Sequence, residues 1–159
     1  MNPLGDLLTL DDIHLDIDVA NKAQLLDRIA ALLSARHGMS KATVLESLTV
    51  REQLGSTGVG HGVAIPHARM NQCVAPAGTF VRTKFAIPFD APDGKPVNVF
   101  IGLIVPGKAN ERHLQLLAAA AGMLSDRTFR ETLKTSTDQD KVRELLAGWP
   151  DASSAKSKV

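Results

Sequence analysis

The run TFVRTKFAIPFDAPDGKPVNVFIGLIV, residues 79–105, reads as two strands of different kinds with a turn between them. Over 79–87 the side chains alternate: Val81, Phe85 and Ile87 share one parity, Arg82 and Lys84 the other. Successive strand side chains point to opposite faces, so this predicts a half-buried strand with its cations in water. Over 97–105 nearly every residue is apolar or β-branched, which predicts a central strand covered on both faces. Pro92, Gly94 and Pro96 within 90–96 supply the turn. Strands joined this closely are antiparallel neighbours.

Helical patterns lie on both sides of this core. On the N-terminal side, 21–38 predicts a helix capped by Asn21, with Gln24 three residues on as in a capping box and Gly38 as its stop. Leu25, Leu26, Ile29, Leu32 and Leu33 share its buried face. Ser40 caps a second helix that buries Val44, Leu45 and Leu48 and ends before Gly55, so the two make a helical hairpin. Residues 55–62 hold four glycines in eight positions and read as a loop. Val63, Ala64 and Ile65 form a short apolar run that Pro66 stops. On the C-terminal side, Asn110 caps a helix whose Leu114, Leu117, Ala121 and Leu124 share a face. A short helix covers 128–134. Thr137 caps a last one, with Asp138 and Asp140 in its first turn and Val142, Leu145 and Leu146 inward. Trp149 closes the core. Helices, then strands, then helices predict an α/β fold: a single-domain sandwich with a mixed β-sheet flanked by helices. The domain spans 1–149, and 150–159, mostly Ser, Ala and Lys, is expected to be a disordered tail.

The bulk numbers exclude several functions. A chain of 159 residues has room for one sizeable core. A net charge of +1 makes no electrostatic case for a nucleic-acid binder or a polybasic membrane anchor, and 4% aromatic residues make none for base stacking. Residues 1–10 lack the basic-then-apolar pattern of a secretory leader. The apolar run 97–105 is too short to span a bilayer. These features predict a soluble, cytoplasmic protein without membrane insertion. The lone Cys73 lies beside no evident base and reads as a non-catalytic thiol.

The chemistry concentrates in REQLGSTGVGHGVAIPHAR, residues 51–69. An arginine ends a helix, glycines follow, and His67 stands directly after Pro66. Neutral imidazole is a good nucleophile near neutral pH, and its phosphoramidate passes the group on readily. Backbone N–H groups of a glycine loop can receive phosphate oxygens, and Arg51 can neutralise them through a bidentate contact. His113 is expected near the start of a helix, whose dipole disfavours a protonated ring, and a neutral His113 can donate a ring N–H to a phosphate. The spacing of His61 and His67 is not a helical pair, which disfavours a zinc site. The loop also lacks the Gly-Lys-Ser/Thr ending of a nucleotide-binding P-loop. His61 reads as an exposed loop residue, and His14 and His37 as structural or exposed ones.

Three segments together carry a family resemblance: Arg-Glu…Leu-Gly-Ser-Thr-Gly from Arg51, Gly-Val-Ala-Ile-Pro-His ending at His67, and Val105-Pro106…Arg112-His113-Leu114. The chain resembles the IIA domains of the mannitol/fructose class of the phosphoenolpyruvate-dependent phosphotransferase system, within that class most of all the nitrogen-regulatory enzyme IIA, over about residues 7–146. The resemblance implies a mixed sheet flanked by helices. It implies that His67 is the phosphoryl acceptor, on its tele nitrogen, that His113 supports the phosphate or the acceptor ring, and that Arg51 offsets the phosphate charge. It implies an HPr-type phosphocarrier as donor, no metal and no cofactor, and regulated partners such as potassium transporters or sensor kinases. Two other functions remain compatible with the residues: a sugar-specific IIA that hands phosphate to a IIB component for fructose or mannitol uptake, and a binding module that is never phosphorylated.

Overall fold

The computed structural model describes residues 2–108 and 111–150. Asn110, expected to cap a helix, and 151–159 of the expected tail lie outside the described residues; Pro150 is described and exposed.

Helix α1 (Pro3–Leu7) is capped by Asn2, whose side-chain oxygen accepts from the Gly5 N–H at 2.7 Å. A 3-10 turn at Leu10–Asp12 leads into strand β1 (Ile13–Ile17). These N-terminal elements carry no clear periodicity and were not legible in the sequence. The helical hairpin is as expected: α2 (Lys22–His37) and α3 (Lys41–Gln53), with Gly38 left-handed at φ 68° and Ser40 accepting from the Thr43 N–H. The Asn21 oxygen caps the Gln24 N–H at 2.9 Å, while the Gln24 side chain reaches one residue further back than a capping box, to the Ala20 N–H at 2.8 Å.

The glycine-rich segment is partly strand, not only loop. β2 (Gly58–Gly60) and β3 (Val63–Ala64) pair antiparallel across His61 and Gly62, which both take positive φ, at 58° and 81°. Two such residues make the two-residue turn that suits strand twist, and glycine at the second position adopts it without strain. A further short strand, β4 (His67–Met70), begins at His67. β5 (Ala77–Ile87) and β6 (Val97–Pro106) pair antiparallel as expected, and β6 is central: β5 lies on one edge, and β3 and then β4 pair in parallel along the other. β1 joins β5 in parallel to complete a six-stranded mixed sheet.

The half-buried reading of 79–87 needs correction. The first seven residues of β5 are buried on both faces. Between Arg82 and Ile87 the pairing with β6 slips: Arg82 is opposite Val99, yet Ile87 is opposite Val97. Extra residues on one strand form a bulge that disrupts side-chain alternation. Phe85 therefore stands 64% exposed. Arg82 is buried, and its Nη1 donates to the carbonyls of Leu133 and Ser136.

Two cores sandwich the sheet. α2 and α3 pack with Val81, Phe100 and Ile104 on one face. On the other, α1, α4 (Glu111–Ser125), α5 (Arg127–Thr135) and α6 (Gln139–Gly148) pack with Phe80, Ile101 and Leu103. α4 is rotated from expectation: Leu116, Ala120, Met123 and Leu124 are buried, and Leu114 is exposed. Its sequence is apolar nearly all round, so spacing alone could not select the buried stripe. Asp138, not Thr137, caps α6. Trp149 meets Phe129 edge-on at 5.0 Å.

Candidate functional site

Residues 62–70 run along one edge of β6, and the chemistry follows from where that run breaks. β3 is opposite Val99 and Phe100, and β4 resumes opposite Leu103. Pro66 between them has no N–H for a ladder, although its carbonyl still accepts from the Leu103 N–H at 2.9 Å. The kink frees the Ile65 carbonyl, which the Nδ1 of His67 meets at 2.7 Å. A carbonyl only accepts, so Nδ1 carries the proton and Nε2 holds the lone pair. His67 is half-buried. Burial pushes its pKa below the ordinary 6.5; the Ile65 carbonyl works against that shift and the nearby Arg51 guanidinium adds to it. The ring is thus held as a neutral imidazole with a defined tautomer.

Arg51 and His67 line one open groove, with Glu46, Val50, Leu54 and Leu117. Arg51, in the last turn of α3, donates from Nη1 to the Gly55 carbonyl at 2.9 Å, which ties it to the start of the glycine segment. Arg69 lines the same groove and was not singled out from the sequence. It stands two residues beyond His67 on β4, hence on the same strand face; with 67–70 recognised as a strand, that alternation would have found it.

Glu52 is a second residue whose role was not legible. Its side chain is 4% exposed and accepts from the Thr57 N–H at 2.9 Å, the Thr57 hydroxyl at 2.6 Å and the Lys22 ammonium at 3.0 Å. This carboxylate anchors the glycine segment to α3, and Lys22 extends the network to Asp90 at 3.3 Å and the Phe89 ring at 4.5 Å. The signal was present in the Arg-Glu…Ser-Thr-Gly segment, but a lone carboxylate at a helix end reads as solvated.

His113 lies in the first turn of α4 and lines a neighbouring depression with Pro3, Asp6 and Leu7, not the groove of His67. Leu117, four residues on and so on the same helix face, does line that groove. His61 is exposed at the hairpin turn. The Nε2 of His37 lies 3.2 Å from an Asp12 carboxylate oxygen, and burial lowers the pKa of His14 on β1. Cys73 is buried; burial raises its thiol pKa, and its Sγ–H donates to the Ala75 carbonyl at 2.9 Å, which leaves it a poor nucleophile. No helix among the described residues is long and apolar enough to cross a membrane.

A mixed sheet between helices, with a half-buried histidine at a strand start in a groove shared with a helix-end arginine, is the arrangement of a phosphotransfer IIA domain. The chain belongs to the family described as "Phosphoenolpyruvate-dependent sugar phosphotransferase system, EIIA 2", whose model matches residues 6–148. It is therefore a phosphotransferase-system component. It is 35% identical over 145 residues to a nitrogen regulatory protein of Bradyrhizobium diazoefficiens, covering 91% of this chain and 95% of that one. It is 37% identical over 145 residues to a fructose-specific EIIA component of Haloferax volcanii, covering 91% and 94%. The crystal structure of nitrogen regulatory protein IIA-Ntr from Neisseria meningitidis superposes with a TM-score of 0.85 at 43% identity, over 89% of this chain and 97% of that one.

Proposed function

We propose that this chain is a phosphoryl carrier and regulatory protein of a nitrogen-type phosphotransferase system, charged on His67 by an HPr-type phosphocarrier in the cytoplasm. The observation that carries the reading is the tautomer lock: Nδ1 is held by the Ile65 carbonyl, which leaves the Nε2 lone pair available for attack in a groove that Arg51 also lines. In the transfer, Nε2 forms a bond to phosphorus as the donor's nitrogen–phosphorus bond breaks. The donor imidazole leaves with the electron pair. The Nδ1 proton stays on His67, where the Ile65 carbonyl stabilises the positive charge the ring gains. Arg51 and Arg69 offset the phosphate charge, and in-line transfer of this kind needs positioning and charge compensation above all. His113 keeps its supporting role on the strength of the family motif and of Leu117, its neighbour one turn on.

Regulation then follows from charge. A phosphate adds roughly −1.5 to −2 charges at neutral pH, placed at the centre of a surface that exposes Val50 and Leu54. Partners such as potassium transporters or sensor kinases would distinguish the two states. The 37% identity to a fructose-specific component favours a second reading, a sugar-specific IIA that passes phosphate to a IIB protein.

One experiment separates these. The chain is incubated with labelled phosphoenolpyruvate, enzyme I and an HPr-type carrier, then read by mass spectrometry at neutral or alkaline pH. A phosphoryl gain lost in His67→Ala supports the carrier. No gain on the wild-type chain leaves a non-phosphorylated binding module. Rapid onward passage of label through a IIB protein to fructose or mannitol selects the transport reading.

A further inference from the structure

Away from His67, a concave site of about 630 Å³ is framed by Lys95, Arg127, Arg130 and Lys134, with His61 and Glu131. On α5, positions 127, 130, 131 and 134 form one helical stripe. The stripe carries three cations and one carboxylate in a molecule whose net charge is +1. Like charges at these spacings repel, and Arg127 sits in the first turn of α5, where the helix dipole disfavours a cation. The nearby carboxylates offset little of this. Glu131 approaches Lys134 at 4.0 Å. Asp93 is tied to the backbone N–H groups of His61 and Lys95, at 2.9 and 3.1 Å. Arg127 makes no ion pair among the described residues.

A second observation points to a ligand. Arg130 is 7% exposed, its Nη1 donates to the Leu124 carbonyl at 3.0 Å, and its buried Nε has no hydrogen-bond partner. An under-satisfied buried guanidinium in a wall of cations is costly by itself. An occupant bringing negative charge offsets the repulsion and, acting through space, part of the cost of the buried guanidinium. The Lys134 ammonium also donates to the His61 carbonyl at 2.5 Å, so the cluster is joined to the β2–β3 turn.

We infer that this cavity is a binding site for a small multivalent oxyanion, a phosphate ester or a dicarboxylate, separate from the phosphoryl groove. The turn at Gly62 lies beside Asn98, and His67 is opposite Leu103. Five residues of β6 therefore separate the two sites, roughly 16 Å at strand rise. The inference is independent of the role given to His67. A concave wall with cations from α5 and from the β5–β6 turn suits a compact ligand that several donors reach at once.

The test is an amide NMR titration of the full chain with inorganic phosphate and, separately, with succinate, at ionic strength held constant with chloride. The expected result is saturable shifts at His61, Gly62, Arg127 and Arg130. The double variant K95Q/R127Q, which changes exposed side chains outside the groove, should weaken binding about tenfold or more, with the rate of His67 phosphorylation unchanged. Saturation by phosphate alone assigns the phosphate-ester class, and saturation by succinate extends the site to dicarboxylates; either supports the site. Non-saturating shifts, shifts centred on Arg51 and Arg69, or equal affinity in the double variant would overturn it as an adventitious ion only.

Discussion

At the residue scale, one carbonyl sets the chemistry of His67. Ile65 O holds the Nδ1 proton, and burial disfavours the charged ring. A histidine whose folded pKa is depressed stays neutral as the pH falls below the ordinary 6.5 and gains its proton only further down. The imidazole resonances of His67 should accordingly titrate below pH 6.5 by NMR, and the rate of phosphoryl acceptance should hold at pH 6.5 relative to pH 7.5 rather than drop by half. A titration at or above 6.5 would contradict the burial argument. Removing the cation should act on the same step. Arg51→Gln is expected to slow single-turnover phosphorylation by about one to two orders of magnitude, the scale of one charge-stabilising contact in the transition state, with little change in melting temperature. A rate equal to wild type would assign Arg51 only to the Gly55 carbonyl it already serves.

At the element scale, the site depends on two devices that hold backbone in place. The Glu52 carboxylate bonds Thr57 twice and Lys22 once, from a side chain that is 4% exposed. Glu52→Ala leaves those donors unpaired, and urea denaturation should register a loss of about 3 kcal/mol, with faster amide exchange at Thr57 and Gly58. The second device is the close approach of α2 to the sheet at Gly102. A Cβ there would meet the Ile29 Cγ2 at 3.0 Å, and the Thr79 Cγ2 at 3.3 Å. Gly102→Val should therefore cost about 1–3 kcal/mol through overpacking, measurable by thermal melting. An unchanged melting temperature would show that α2 can move away freely. The bulge in β5 belongs to this scale too: beyond Arg82 it turns Phe85 to solvent, while Arg82, still in register, is buried because α5 covers its face and offers carbonyls to it, the reverse of the exposure their parity predicts.

At the scale of the whole molecule, the proposed carrier role asks the groove to meet another protein, and its surface suits that. Leu54 is 80% exposed and Val50 52% exposed in the groove that the half-buried His67 also lines. Exposed apolar side chains next to a reactive group suit a docking face. Leu54→Glu should raise the KM for the phosphorylated HPr-type donor by about tenfold, in keeping with loss of an apolar anchor, and leave kcat within about twofold if chemistry limits turnover. A drop in kcat at unchanged KM would place Leu54 in the chemistry and not in the docking face.

The amino-acid sequence by itself determined the helical hairpin, the central strand at 97–105, the sandwich class and the family, and it marked His67, Arg51 and His113. These are local signals: caps, periodicity over ten or more residues, and a dense motif. What lay beyond it were short or compensated features. The strands at 58–60, 63–64 and 67–70 are too brief for periodicity to register, so Arg69 was not placed beside His67. α4 is apolar nearly all round, so only its neighbours could choose the face that buries Leu116 and exposes Leu114. The β5 bulge arises from pairing with β6, and the buried Arg82 and the Lys22–Glu52 pair join elements distant in the chain. Those are long-range contacts, and only the tertiary structure brings their two ends together.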